Sequence, residues 1–83
     1  MRVLYFAWVK EKAGIAAEDI DPPADVATVA ELIDWLKARG PEFANAFAKS
    51  DVIRAAIDRS HVRHDAKIAG AREIAFFPPV TGG

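Results

Sequence analysis

The sequence predicts an α+β domain in which one sheet carries a main helix across one of its faces. Three observations lead there. The run Arg2–Lys10, RVLYFAWVK, is rich in β-branched and aromatic residues and holds no Pro or Gly, which reads as a strand. Thr28-Val29-Ala30-Glu31 is a capping box, and Val29, Leu32, Ile33 and Leu36 follow it at helical spacing. The second half holds three further short strand-like segments separated by turn residues.

In the first strand, parity assigns the faces, because side chains alternate across a strand. Val3, Tyr5, Ala7 and Val9 form a charge-free set that belongs to the core. Leu4, Phe6 and Trp8 then face outward between Arg2 and Lys10. An exposed apolar stripe bracketed by charges marks an interaction surface. The alternative is a strand covered on both faces. Residues 11–16, with Gly14, form a turn, and 17–21 form a second strand closed by Pro22-Pro23, giving a hairpin with the first.

The capped helix presents Asp34, Lys37 and Arg39 away from its apolar stripe. Gly40 is placed at its C-cap and Pro41 stops it. A short helix over Glu42–Ala48 turns Phe43 and Phe47 inward at i, i+4. Val52–Ile57 is a third strand, Asp58-Arg59 a turn and Ser60–His64 a fourth strand. An irregular loop precedes the last strand, Arg72–Phe77. There Ile74 and Phe76 share the inner face, which leaves Glu73, Ala75 and Phe77 outside.

Composition excludes several function classes. Eighty-three residues hold a single core, read as a domain over 1–77 with a tail over 78–83. There is no Cys, hence no disulfide, thiolate metal site or cysteine nucleophile. A net charge of −1 argues against a nucleic-acid partner. The longest apolar run, Val3–Val9, is too short to span a bilayer, and no signal-peptide pattern opens the chain, so the expectation is a cytoplasmic protein with no membrane partner. His61 and His64 stand three apart, on opposite faces of a strand, and read as surface histidines with no metal. Glu18, Asp19 and Asp21 lie in a polar region and read as solvated. No P-loop, glycine-rich dinucleotide motif or Ser-His-Asp arrangement is present, and the chain is read as binding no cofactor of its own.

The end is different. Pro78-Pro79 cannot pair in a ladder, and they stiffen the exit from the domain. Val80 and Thr81 are a short spacer, and Gly82-Gly83 follow without side chains. Six extended residues reach about 20 Å. Such an end can thread a narrow channel and present the Gly83 carboxylate to another protein's active site; the alternative is an idle, flexible terminus. A carboxylate is a poor electrophile until activated, so its use implies adenylation by a partner that consumes ATP.

The end EIAFFPPVTGG, Glu73 to Gly83, resembles that of the small, sulfur-carrying subunits of molybdopterin synthase. VLYFAWVKEKAG, Val3 to Gly14, resembles their first strand and turn, and the helix from Thr28 and the segment Ala55–Asp58 follow in the family's order. The resemblance implies a ubiquitin-like β-grasp: one mixed sheet whose first and last strands are adjacent, parallel and central. It implies an E1-like adenylating enzyme, a sulfur-donating enzyme and a large catalytic subunit as partners. The Gly83 carboxylate would become a thiocarboxylate and pass its sulfur to cyclic pyranopterin monophosphate, making the chain the non-catalytic member of a two-subunit transferase. Phe6 and Phe77 match apolar partner contacts of the family, and Lys10 matches a basic one. His61 stands where the family often has an apolar contact, and Trp8 where a polar residue is common. Leu4, Phe6, Trp8, Lys10 and Phe77 are thus the expected partner interface. The alternatives are a ubiquitin-like modifier joined to targets through Gly83 and a plain interaction domain with an idle tail.

Overall fold

A computed structural model of the chain describes residues 1–79. Five strands form one sheet in the order β2-β1-β5-β3-β4, where β1 is Arg2–Tyr5, β2 Ala17–Asp19, β3 Arg54–Ile57, β4 Ser60–Val62 and β5 Glu73–Phe77. The first and last strands lie side by side and parallel, with Val3 opposite Ile74 and Tyr5 opposite Phe76. The other three pairings are antiparallel. Three helices accompany the sheet: α1 over Ala7–Ala13, α2 over Val29–Lys37 and α3 over Pro41–Ala46.

One contiguous core joins the inner sheet face to the helices. Val3, Tyr5, Ile74 and Phe76 meet Val29, Leu32, Ile33 and Leu36 of α2, and Phe47 beyond α3. Phe47 stands edge-on to Phe76, with ring centroids 5.2 Å apart at 85°, and Tyr5 completes the aromatic group within 6.4 Å of both.

The start of α2 has its donors placed in full. The Thr28 hydroxyl accepts from the Glu31 amide, and the Glu31 carboxylate accepts from the Thr28 amide. The Val29 and Ala30 amides donate to the carbonyls of Ala66 and His64 in the long loop before β5. The loop therefore serves as the helix's second cap.

The structure corrects several expectations. The first strand ends at Tyr5 rather than running to Lys10, because the backbone turns at Ala7, where φ is +54°. Residues 7–13 then form a helix that buries Val9 and Ala13 at i, i+4 and packs against α3. It closes on Gly14, whose φ of +85° lets its amide reach the Lys10 carbonyl. The first two strands do pair antiparallel, but a helix rather than a tight turn joins them. Trp8 and Lys10 consequently lie on α1 and not on a strand stripe, and Ala7 is exposed instead of buried.

Gly40 is not the C-cap of α2. That helix ends through Ala38 in ordinary helical geometry, and Gly40 is the N-cap of α3, with Pro41 at the first helical position. The short helix runs from Pro41 to Ala46. The third strand starts at Arg54, after a 3-10 turn over Ser50–Val52, and the fourth ends at Val62.

Candidate functional site

The free face of the sheet is organised in cross-strand rows, because residues paired in register project to the same side. One row takes one residue from each strand: Ala17, Leu4, Ala75, Ala56 and His61. Two alanines, Ala75 and Ala56, keep its centre low between Leu4 and His61, and Ala17 ends the row on the edge strand. Ala56 is buried yet lies outside the core cluster, since the neighbouring side chains of this face cover it. The adjacent row brings Arg54 opposite Phe77. The His61 and Phe77 rings lie 5.2 Å apart, joining the two rows. On the far side, Arg2 pairs with Asp19 at 3.7 Å, an exposed contact that contributes little to stability.

The last strand leads out of this face. Phe77 is half-buried, as are Pro78 and Pro79. Phe6 is 47% exposed, and its amide donates to the Phe76 carbonyl at 3.1 Å, which sets its backbone beside the end of β5. An exposed aromatic residue on the segment bonded to the last strand is the kind of apolar feature that marks a docking surface. Val80, Thr81, Gly82 and Gly83 lie outside the described residues.

The structure thus sets Leu4 opposite Ala75 and Phe6 beside Phe76, so both flank the strand that ends in Phe77. Phe77 is less exposed than parity alone implied, because the His61 ring packs on it. Lys10 is exposed on α1, and Trp8 is half-buried there under the Lys12 ammonium, 5.1 Å from the ring centroid. Arg54, Ala56 and His61 belong to the same face, and sequence reasoning missed them as a group. The signal was in the spacing: Arg54 and Ala56 share a parity, but only the strand order shows that they flank β5.

The remaining polar groups serve the fold. Glu18 is not solvated as its neighbours suggested. It points to the core side and receives the Tyr5 hydroxyl at 2.7 Å and both terminal nitrogens of Arg39 at 2.8 Å. The Arg39 guanidinium holds its carboxyl below the usual range, although partial burial works the other way. Burial, with the Glu18 hydrogen bond adding to it, pushes the Tyr5 phenol far up. His64 places Nε2 2.8 Å from the Ile53 carbonyl, whereas His61 stays on the sheet face. Among the described residues no group of three His, Cys, Asp or Glu stands close enough to hold a metal ion, and no helix is long and apolar enough to cross a membrane.

A helix-backed mixed sheet whose first and last strands are central and parallel, with one open face, defines a ubiquitin-like β-grasp protein. The chain belongs to the ThiS family, whose description matches residues 3–83. It is similar to the molybdopterin synthase sulfur carrier subunit of Escherichia coli, 36% identical over 83 residues that cover all of this chain and 99% of that one. Among solved structures it resembles the putative molybdopterin converting factor, subunit 1, of Pyrococcus furiosus, with a TM-score of 0.74, 27% identity and 95% of each chain covered. It also resembles the small archaeal modifier protein 1 of H. volcanii, with a TM-score of 0.73, 25% identity, and 96% of this chain and 97% of that one covered.

Proposed function

We propose that this chain is the sulfur carrier of a molybdopterin synthase. The observation that carries the reading is the coupling of the open face to the tail. Leu4 and Phe6 flank β5 through Ala75 and Phe76, the strand ends in Phe77, and the next six residues are Pro-Pro-Val-Thr-Gly-Gly. Full-length similarity to a sulfur carrier subunit supports it.

In this reading a partner docks on the face and the tail enters its active site. An E1-like enzyme first joins the Gly83 carboxylate to AMP, releasing pyrophosphate from ATP. Sulfide supplied by a donating enzyme attacks the acyl carbon, AMP leaves with the bonding pair, and loss of the sulfur-bound proton gives the thiocarboxylate. In the large subunit of the synthase the thiocarboxylate sulfur attacks a side-chain carbon of cyclic pyranopterin monophosphate, and the oxygen substituent of that carbon leaves as the C–O bond breaks. Hydrolysis of the resulting acyl link returns the Gly83 carboxylate and leaves the sulfur on the pterin. The domain supplies recognition and reach, and the bond-making groups belong to the partners. The stiff prolines limit the conformations that threading must freeze out, which lowers the entropic cost of docking.

The test is reconstitution. The thiocarboxylated chain, mixed with a large subunit and the pterin precursor, yields molybdopterin, whereas the carboxylate form does not. Equal yields from both forms overturn the reading.

The likeness to an archaeal modifier favours a second reading, conjugation of Gly83 to target lysines. Mass spectrometry of the cellular protein separates the two. A terminus heavier by the difference between sulfur and oxygen belongs to the carrier, and covalent adducts belong to the modifier.

A further inference from the structure

Trp8 has no role in the site described above. It stands in the first turn of α1, two residues after Phe6, whose amide is bonded to Phe76. Helix α1 packs against α3, and the two frame a recess of about 540 Å³ lined by Trp8, Lys12, Asn45, Ala48 and Lys49. The lining holds two ammonium groups, a carboxamide and an indole, and no acidic side chain. Glu11 of the same helix borders a different recess, with Lys10, Gly14 and Ile15. The ion pairs among the described residues are Arg2–Asp19 and Arg39–Glu18, so neither Lys12 nor Lys49 is neutralised by a described neighbour. The Lys12 ammonium instead rests over the Trp8 ring, which fixes one cation at the wall of the recess.

We propose that this recess is a second docking point, for an acidic segment of the protein that takes the tail. The inference rests on the carrier reading and adds a contact to it. Charge complementarity selects the occupant: two cations and an amide donor are suited to carboxylates, and the indole supplies an apolar wall for the stem of an Asp or Glu. Position selects the partner, because Trp8 of the recess lies two residues after Phe6, whose amide is bonded to Phe76 of β5, and α1 itself contacts that strand. A protein seated over Phe6 and Phe77 extends naturally onto it. Lys12 and Lys49 would then guide the partner toward the tail, and such a contact acts on association rate and salt dependence.

The experiment is calorimetric titration of the full chain into the large subunit of molybdopterin synthase, at about 0.05 and about 0.5 M salt. The variants are Lys12→Glu with Lys49→Glu, Lys12→Arg with Lys49→Arg, Lys67→Glu as a single charge-reversal control on the loop before β5, and Phe77→Ala. Thermal melting confirms that each is folded. The expected result is a loss of about tenfold or more in affinity for the Glu pair at low salt, with its salt dependence flattened, near-native binding for the Arg pair, and an effect of Lys67→Glu of no more than about twofold. If the Glu pair binds like wild type while Phe77→Ala weakens binding, the recess proposal is overturned and the carrier reading stands. If the wild-type chain does not bind the large subunit at all, the carrier reading fails and takes the proposal with it. Self-association of the wild type that the Glu pair abolishes, seen by sedimentation, would assign the recess to a second copy of this chain and equally overturn the proposal.

Discussion

Tyr5 of β1 donates its hydroxyl to Glu18 of β2 at 2.7 Å, and the same carboxylate oxygen receives Arg39 from beyond α2 at 2.8 Å. One carboxylate on the edge strand thus joins the buried Tyr5 phenol to the end of the main helix. The guanidinium also lies over Trp35 and Phe43, 5.4 and 4.8 Å from their ring centroids, so its carbon faces are used as well as its nitrogens.

Removing the phenol oxygen tests this tie. Tyr5→Phe keeps the ring that packs on Phe47 and Phe76 and deletes one hydrogen bond. The expected loss is about 1 kcal/mol of stability, measured by urea unfolding. A neutral result would mean that Arg39 alone satisfies the carboxylate.

The same group sets an acid limit. The folded-state carboxyl of Glu18 is held below its unfolded value, chiefly by Arg39. Its contribution is therefore complete above the unfolded carboxylate range, near pH 4.3, and drains away as pH falls through that range toward the depressed folded value. Glu18→Gln should be less stable than wild type at pH 7, and the gap should narrow steadily below about pH 4. Denaturation midpoints of the two proteins across pH 7 to 3 check this, and a pH-independent gap would contradict it.

The β3–β4 turn offers a gain in stability. Asp58 and Arg59 both have positive φ, +47° and +73°, as a two-residue turn of this hand requires. Asp58 compensates by accepting from the Arg72 and Glu73 amides, but no side-chain hydrogen bond of Arg59 offsets its conformation among the described residues. Arg59→Gly removes the left-handed penalty and should stabilise the fold by about 1 kcal/mol. A lower thermal midpoint would show that the arginine makes a contact worth more than that strain.

The two phenylalanines at the tail exit should differ. Phe6 is 47% exposed, so Phe6→Ala should cost the free domain no more than about 0.5–1 kcal/mol. Phe77 packs on His61 and sits in the sheet, so Phe77→Ala should cost more. Both should weaken large-subunit binding, by about 2 kcal/mol for a central anchor. Paired melting and binding measurements separate the two effects. Phe6→Ala binding as wild type would remove Phe6 from the interface.

Deleting Gly83 should abolish sulfur transfer and leave the melting temperature unchanged. The reacting carbon retreats by roughly 3.5 Å, and a shift of about 1 Å can already cost around a hundredfold in rate. Within the described residues no member of the buried core lies beyond Phe76. Side-by-side assays of melting and molybdopterin formation decide it, and a truncated chain of normal activity would end the carrier reading.

The features legible in the sequence are those whose causes lie within a few residues. The capping box at Thr28 and Glu31 is written in four letters, and the apolar stripe of α2 in eight. The Asp58-Arg59 turn and the proline stop after Phe77 are equally local, and the terminal Gly-Gly is read directly. The end of the first strand was not legible, for a definite reason. Val9 is inward by strand parity, counted from Val3 and Tyr5, and inward again by helical spacing, paired with Ala13. Both periods fit, so the run could not choose between them; packing against α3, from thirty residues further on, made the choice. The role of Glu18 was hidden in the same way, because its partners Tyr5 and Arg39 come from distant segments. The row Ala17, Leu4, Ala75, Ala56 and His61 exists only through strand order and register. Local hydrogen bonding and side-chain periodicity are set by the chain itself, whereas a surface built from five strands is decided by non-local pairing, which no short stretch of sequence contains.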